Sequence, residues 1–216
     1  MQRLQLVSFW LLLPVLLLVA CQRGAVGLRP SDVLLREEFV AGEMGAWQIE
    51  GDSVAQTAVI NEQLLISINA PNTLQFATLA NPTFDDFVLE VDARQIAGHP
   101  ESSYGVLFRM QSSQEFYRFE ITGDGFYMLE RHNGDGSWTR FVDDWTAAPA
   151  INQGLNVANR LKVTARGDAL AVSVNDVLLR EVRDARYAGG LLALDAGTFG
   201  HAGLQVAFDN LLVYRP

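Results

Sequence analysis

The sequence predicts an all-β domain, a two-sheet antiparallel jelly-roll sandwich behind a short N-terminal leader. Three observations carry that expectation. Apolar and polar residues alternate with period two in segment after segment, the pattern of a strand with one buried face. Clusters of glycine, asparagine and aspartate separate those segments, and these residues tolerate the positive φ of tight hairpin turns. No window of twelve or more residues beyond the leader keeps a 3.6-residue apolar period, so at most one helical turn is expected, around 150–155.

In chain order, residues 1–20 read as an export signal: Arg3, then an apolar run over 4–20 interrupted by Pro14, short for a membrane-spanning helix. The run ends in Leu18-Val19-Ala20-Cys21, which resembles the lipobox of bacterial lipoproteins. That resemblance implies cleavage before Cys21 and diacylglyceryl attachment to its thiol. The protein would then be exported, with lipid on Cys21 (palmitate-type chains) anchoring it to the extracytoplasmic face of a bacterial membrane. Cys21 is the only cysteine, so no disulfide is available. Residues 21–31 lack periodicity and read as a tether, and 32–216 as the folded domain.

Within that domain, strands are predicted at 33–39, 46–50, 54–60, 63–69, 74–79, 86–96, 104–111, 115–122, 125–132, 137–142, 159–166, 169–175, 177–183, 190–195 and 204–214. In 87–94, Phe87, Leu89, Val91 and Ala93 share one side, with Val88, Glu90, Asp92 and Arg94 on the other. Leu170, Val172 and Val174 alternate in the same way. Hairpin turns fall at Gly123-Asp124-Gly125, Asn133-Gly134-Asp135-Gly136, Gly167-Asp168 and Asn175-Asp176.

The 216 residues are 49% hydrophobic, enough for one packed core. Asp and Glu number 25 against 16 Lys and Arg, a net charge of −9, which excludes nucleic acid as a partner and an electrostatic grip on anionic lipid. Positive charge is almost wholly arginine, since Lys162 is the single lysine.

Leu35-Arg36-Glu37-Glu38-Phe39 with Trp47, Tyr104-Gly105-Val106-Leu107-Phe108-Arg109, Phe116-Tyr117-Arg118-Phe119-Glu120-Ile121 and Phe208-Asp209-Asn210 with Val213-Tyr214 resemble concanavalin A-like (laminin G-like) jelly rolls of the lectin and glucanase type. Related 3-keto-disaccharide hydrolase-like domains share this layout. The resemblance covers 33–214. It implies a structural calcium at Asp209, with the Glu37-Glu38 region as neighbour. No other cofactor is expected.

Family 16 glucanases of this fold use a Glu-x-Asp-x-Glu strand. The nearest match is Glu90-Val91-Asp92-Ala93-Arg94, where Arg94 replaces the acid/base glutamate and cannot donate a proton at working pH. No Gly-x-Ser-x-Gly elbow or phosphate loop is present, and His99, His132 and His201 match no zinc spacing. Arg166-Gly167-Asp168 reads as a turn. The expected function is therefore carbohydrate or surface-ligand binding without catalysis, the partner being a glycan or a cell-envelope protein. A carbohydrate hydrolase is the alternative implied by the resemblance, with Glu90, Asp92 and Glu120 converging in a deep cleft. A structural or protein-interaction module is the second, with every arginine consumed by internal pairs. The candidate ligand face joins Arg94, Arg109, Arg118 and Glu120 across the strands from 86 to 132, which are taken as consecutive neighbours, with Glu130 or Arg131 beside them. Trp138 or Trp145 would be a stacking platform.

Overall fold

The computed structural model describes residues 29–40, 42 and 45–216. The leader, Cys21 and most of the tether lie outside the described residues. Strands are numbered along the chain. One sheet runs β14 (Val177–Arg183), β13 (Ala169–Val174), β12 (Ala158–Arg166), β6 (Phe87–Ala97), β16 (Leu204–Tyr214), β4 (Gln63–Ile68), β3 (Ala55–Ile60), with β1 (Val33–Glu37) also on β16. The other runs β10 (Trp138–Arg140), β9 (Phe126–His132), β8 (Glu115–Thr122), β7 (Ser103–Ser112), β15 (Gly190–Gly197), β5 (Leu74–Phe84), β2 (Trp47–Gln48), with β11 (Thr146–Ala147) also on β9. The β6 sheet and the β8 sheet are antiparallel throughout and close on one core, the predicted jelly-roll sandwich.

Period-two patterning places that core. Phe87, Leu89, Val91 and Ala93 point inward and are buried, as are Leu161, Val163 and Ala165 on β12 and Leu170, Val172 and Val174 on β13. Tyr104, Val106 and Phe108 on β7 and Tyr117, Phe119 and Ile121 on β8 meet them from the other sheet. Each of the Val, Leu, Ile and Phe side chains among them contributes roughly 1.5–3 kcal/mol by leaving water. The Asn175-Asp176 hairpin has φ of 50° and 65°, the positive pair a two-residue turn needs.

Three expectations are corrected. The strands from 86 to 132 are not four neighbours: β6 lies between β12 and β16, while β7, β8 and β9 lie in the opposite sheet. Gly98 lets the chain cross over, with φ of 105° and a position where a Cβ would come within 2.7 Å of Leu204 Cα. The helical turn expected near 150–155 is irregular, and the helical turn among the described residues is the 3-10 segment Pro30–Asp32. Arg109 does not face ligand. It sits at a bulge with φ of 48° and its side chain is fully buried. Its guanidinium donates to the Asp85 carbonyl at 3.0 Å, the Gly167 carbonyl at 2.8 Å and the Tyr187 carbonyl at 3.1 Å. The bulge inserts a residue, reverses the parity of the strand and turns Arg109 into a staple between loops.

Candidate functional site

The outward face of the β8 sheet carries Phe116, Arg118 and Glu120 from β8. Across β9, Arg118 pairs with Glu130, Glu120 with Met128 and Phe116 with His132. Across β7, Arg118 pairs with Leu107 and Glu120 with Gly105, and Gly105 pairs in turn with Asp195 of β15. Gly105 therefore stands between two carboxylates and leaves a gap above β7. A Cβ there would lie 1.9 Å from the Phe119 carbonyl oxygen, so the backbones approach too closely for any larger residue.

The Arg118 guanidinium fills that gap. Its Nε is 3.0 Å from Asp195 Oδ2, its Nη2 bonds Glu120, and its Nη1 is 3.7 Å from Glu130 Oε1. Arg140, at the rim, reaches Glu130 at 3.9 Å. Asp195 and Glu120 are fully buried and Glu130 nearly so. Among the described residues, Asp195 Oδ1 and Ser103 Oγ, on the next row, have no hydrogen-bond partner. One buried cation thus faces three carboxylates. Burial disfavours the charge on Arg118, but Glu120, Asp195 and Glu130 outweigh it and hold its pKa above the ordinary arginine value. Burial, with the Glu120 charge, pushes Asp195 well above the usual carboxylate range. Burial also raises Glu130 to about 7, against the opposing pull of Arg118.

Aromatic side chains frame this cluster. Arg118 lies 5.8 Å from the Trp138 ring centroid, and Trp138 packs over His132 at 4.4 Å. Trp145 and Phe199 meet edge to face at 6.0 Å across from Trp138. Between them is a cavity of about 240 Å³ floored by Arg118, Glu120, Met128 and Glu130. A second cavity of about 310 Å³ lies on the far side of Trp145 and Phe199, lined also by Phe126, Thr122, Glu101 and Asp124.

Arg118, Glu120 and Trp138 are thus brought together at one site. Arg94 is not among them. It projects from the outward face of the β6 sheet, donates to Gln63 at 3.1 Å and borders a small recess with Asp209 and Asn210. Glu90 and Asp92 share that opposite face, paired with Lys162 at 2.9 Å and Arg160 at 2.8 Å, and do not converge with Glu120. Of the pair Glu130 and Arg131, Glu130 is the one that joins this face, and Asp195 was not singled out from the sequence. The signal for Asp195 was present, an acid inside the otherwise apolar strand Gly190–Gly197.

The calcium arrangement implied at Asp209 does not fit. Its Oδ1 accepts the Asn210 backbone N–H at 2.7 Å and its Oδ2 the Gln63 amide at 3.3 Å. Glu37 accepts the Phe39 N–H at 3.0 Å and the Trp47 indole N–H at 3.2 Å. Among the described residues, no group of three His, Cys, Asp or Glu side chains is arranged to hold a metal ion.

Solved structures similar to this chain share its fold. Carbohydrate binding module CBM66 from Bacillus subtilis aligns with TM-score 0.63 and 16% identity, covering 78% of this chain and 95% of that one. A galectin-like-fold protein from Bacillus subtilis aligns with TM-score 0.65 and 13% identity, covering 85% and 96%. A putative glycosyl hydrolase from Parabacteroides distasonis aligns with TM-score 0.53 and 13% identity, covering 79% and 88%. No curated relative matches the sequence. Residues 39–215, nearly the whole folded domain, match the 3-keto-alpha-glucoside-1,2-lyase-like domain, and the chain belongs to that family.

Proposed function

We propose that the outward face of the β8 sheet binds a neutral carbohydrate in the cavity over Arg118, Glu120 and Glu130. The observation that carries this reading is a buried, acceptor-rich cluster flanked by exposed aromatic rings. Carboxylates accept from sugar hydroxyls, and Trp138 and Trp145 offer flat apolar faces to the C–H side of a pyranose. Of the two arginines that line the cavity among the described residues, Arg118 is engaged by buried carboxylates and Arg140 lies at the rim facing Glu130 at 3.9 Å, so excess negative charge disfavours an acidic sugar. The carbohydrate-binding and glycosyl-hydrolase neighbours support a carbohydrate-related role.

Two tryptophans in the site supply the test. Titration with neutral mono- and disaccharides should change tryptophan fluorescence saturably, and Trp138→Ala or Glu120→Gln should weaken binding about tenfold or more. Absence of any saturable change at high millimolar sugar would sink the reading.

Turnover is the second reading, favoured by Glu130. A ketone at C3 of a glucoside acidifies the C2 proton. A base that removes that proton allows the C1–O bond to the leaving group to break. Glu130, raised to about 7, is poised to take up and release a proton near neutral pH. Release of the leaving group from a 3-keto-glucoside by the native protein but not by Glu130→Gln would support it; equal release by both would exclude Glu130.

We further propose that lipid on Cys21 holds the domain at the extracytoplasmic face of a membrane. Cys21→Ser should move the protein to the soluble fraction, and retention of that variant in membranes would refute the anchor.

A further inference from the structure

We propose that the second cavity is a subsite for an aromatic or otherwise apolar aglycone. The ligand is then a glycoside whose sugar lies over Arg118 and Glu120 and whose aglycone lies against Phe126. This rests on the sugar-binding reading above and adds the chemistry of the group attached to the sugar.

The two cavities differ in lining and share two walls. The sugar cavity is floored by charge. The neighbouring one, about 310 Å³, is faced by Phe126, Trp145 and Phe199. Trp145 and Phe199 border both, so a ligand spanning them stays in contact with protein along its length. That volume suits one small ring system. Phe199 is 44% exposed, a large apolar surface left in water unless something covers it.

The walls are held before any ligand arrives. On the Phe199 side, Thr198 donates its backbone N–H to the Thr73 carbonyl at 2.9 Å and its hydroxyl to the Ala70 carbonyl at 2.8 Å. His201 stacks on His99 at 4.0 Å, joining that loop to the one bearing Glu101. On the Trp145 side, β11 pairs with β9, setting Ala147 opposite Phe126. Among the described residues, the charged groups lining the cavity are Glu101 and Asp124, with no Lys or Arg. Asp124 accepts the Thr122 hydroxyl at 2.5 Å. A negatively charged extension is therefore disfavoured, and a neutral or cationic one is accommodated.

The experiment is calorimetric titration of the full-length protein with methyl, phenyl and 4-carboxyphenyl α-D-glucoside. Phenyl glucoside should bind at least about tenfold tighter than methyl glucoside, the increment of one buried ring. The 4-carboxyphenyl compound should lose most of that advantage. In Phe126→Ala the phenyl-to-methyl affinity ratio should fall to about one. Equal affinities for phenyl and methyl glucoside in the native protein would overturn the subsite while leaving the sugar reading in place. A phenyl advantage that survives Phe126→Ala, or one undiminished by the carboxylate, would overturn it as well. If neither glucoside binds, both readings fall.

Discussion

On the outward face of the β6 sheet, Glu90 meets Lys162 at 2.9 Å and Asp92 meets Arg160 at 2.8 Å, two cations for two anions, all partly open to solvent. On the outward face of the β8 sheet, the guanidinium of Arg118 meets Glu120, Asp195 and Glu130 in an almost wholly buried cluster, which the exposed Arg140 touches only from the rim, 3.9 Å from Glu130. Both faces are built from the same residue types on alternating strand positions. The first is a charge lattice that satisfies itself in water. The second keeps an excess of negative charge away from water, which costs stability unless a ligand or a proton completes it. An imbalance of that kind marks a site more sharply than the number of charged residues does.

The comparison can be broken at three points. Arg118→Met leaves three buried carboxylates with only the exposed Arg140 at the rim, 3.9 Å from Glu130, and at pH 8 urea denaturation should show a loss of about 3–5 kcal/mol. A loss below about 1 kcal/mol would mean that the cluster is as well solvated as the opposite face.

Glu130 supplies the second. Its pKa is raised in the folded state, so its contribution is fully present below about 4.5, the ordinary value, and is lost as pH rises through about 7. A shift of that size corresponds to about 3 kcal/mol between those limits. Glu130→Gln should remove this decline from a stability profile, and the residual slope would report Asp195, which is shifted in the same direction. Superimposable profiles would place Glu130 in solvent.

The smallest effect is expected on the other face, where Lys162→Ala should cost less than about 1 kcal/mol and less still in high salt. Glu90 and Asp92 are held below the ordinary carboxylate range, their cation partners and Tyr214 or Asn210 outweighing partial burial. Their stabilisation is present above the ordinary carboxylate pKa and is lost as pH falls, opposite in sign to Glu130. A large salt-independent loss in Lys162→Ala would erase the distinction between the faces.

The candidate site was half legible in the sequence. Arg118 and Glu120 are alternate residues of one strand, so their common face follows from local geometry. Trp138 lies two hairpins further along, on β10. Asp195 joins Arg118 from 77 residues further along the chain, and alternation within a strand contains nothing about that register. Arg94 was assigned to this face because its strand precedes β7 in sequence, but β6 pairs with β12 and β16 instead. Arg109 was assigned there by counting alternate residues through a bulge, which reverses the count.

The sequence alone determined the all-β class, the longer strands and, outside the bulge at Arg109, the inward residues of those with clear alternation, because period-two alternation and turn chemistry act over a few neighbouring residues. The tertiary structure decided which sheet each strand joined and which carboxylates surround Arg118. Strand pairing is settled by hydrogen-bonded registers between distant segments and by burial of both inner faces at once, and neither leaves a local pattern in the chain.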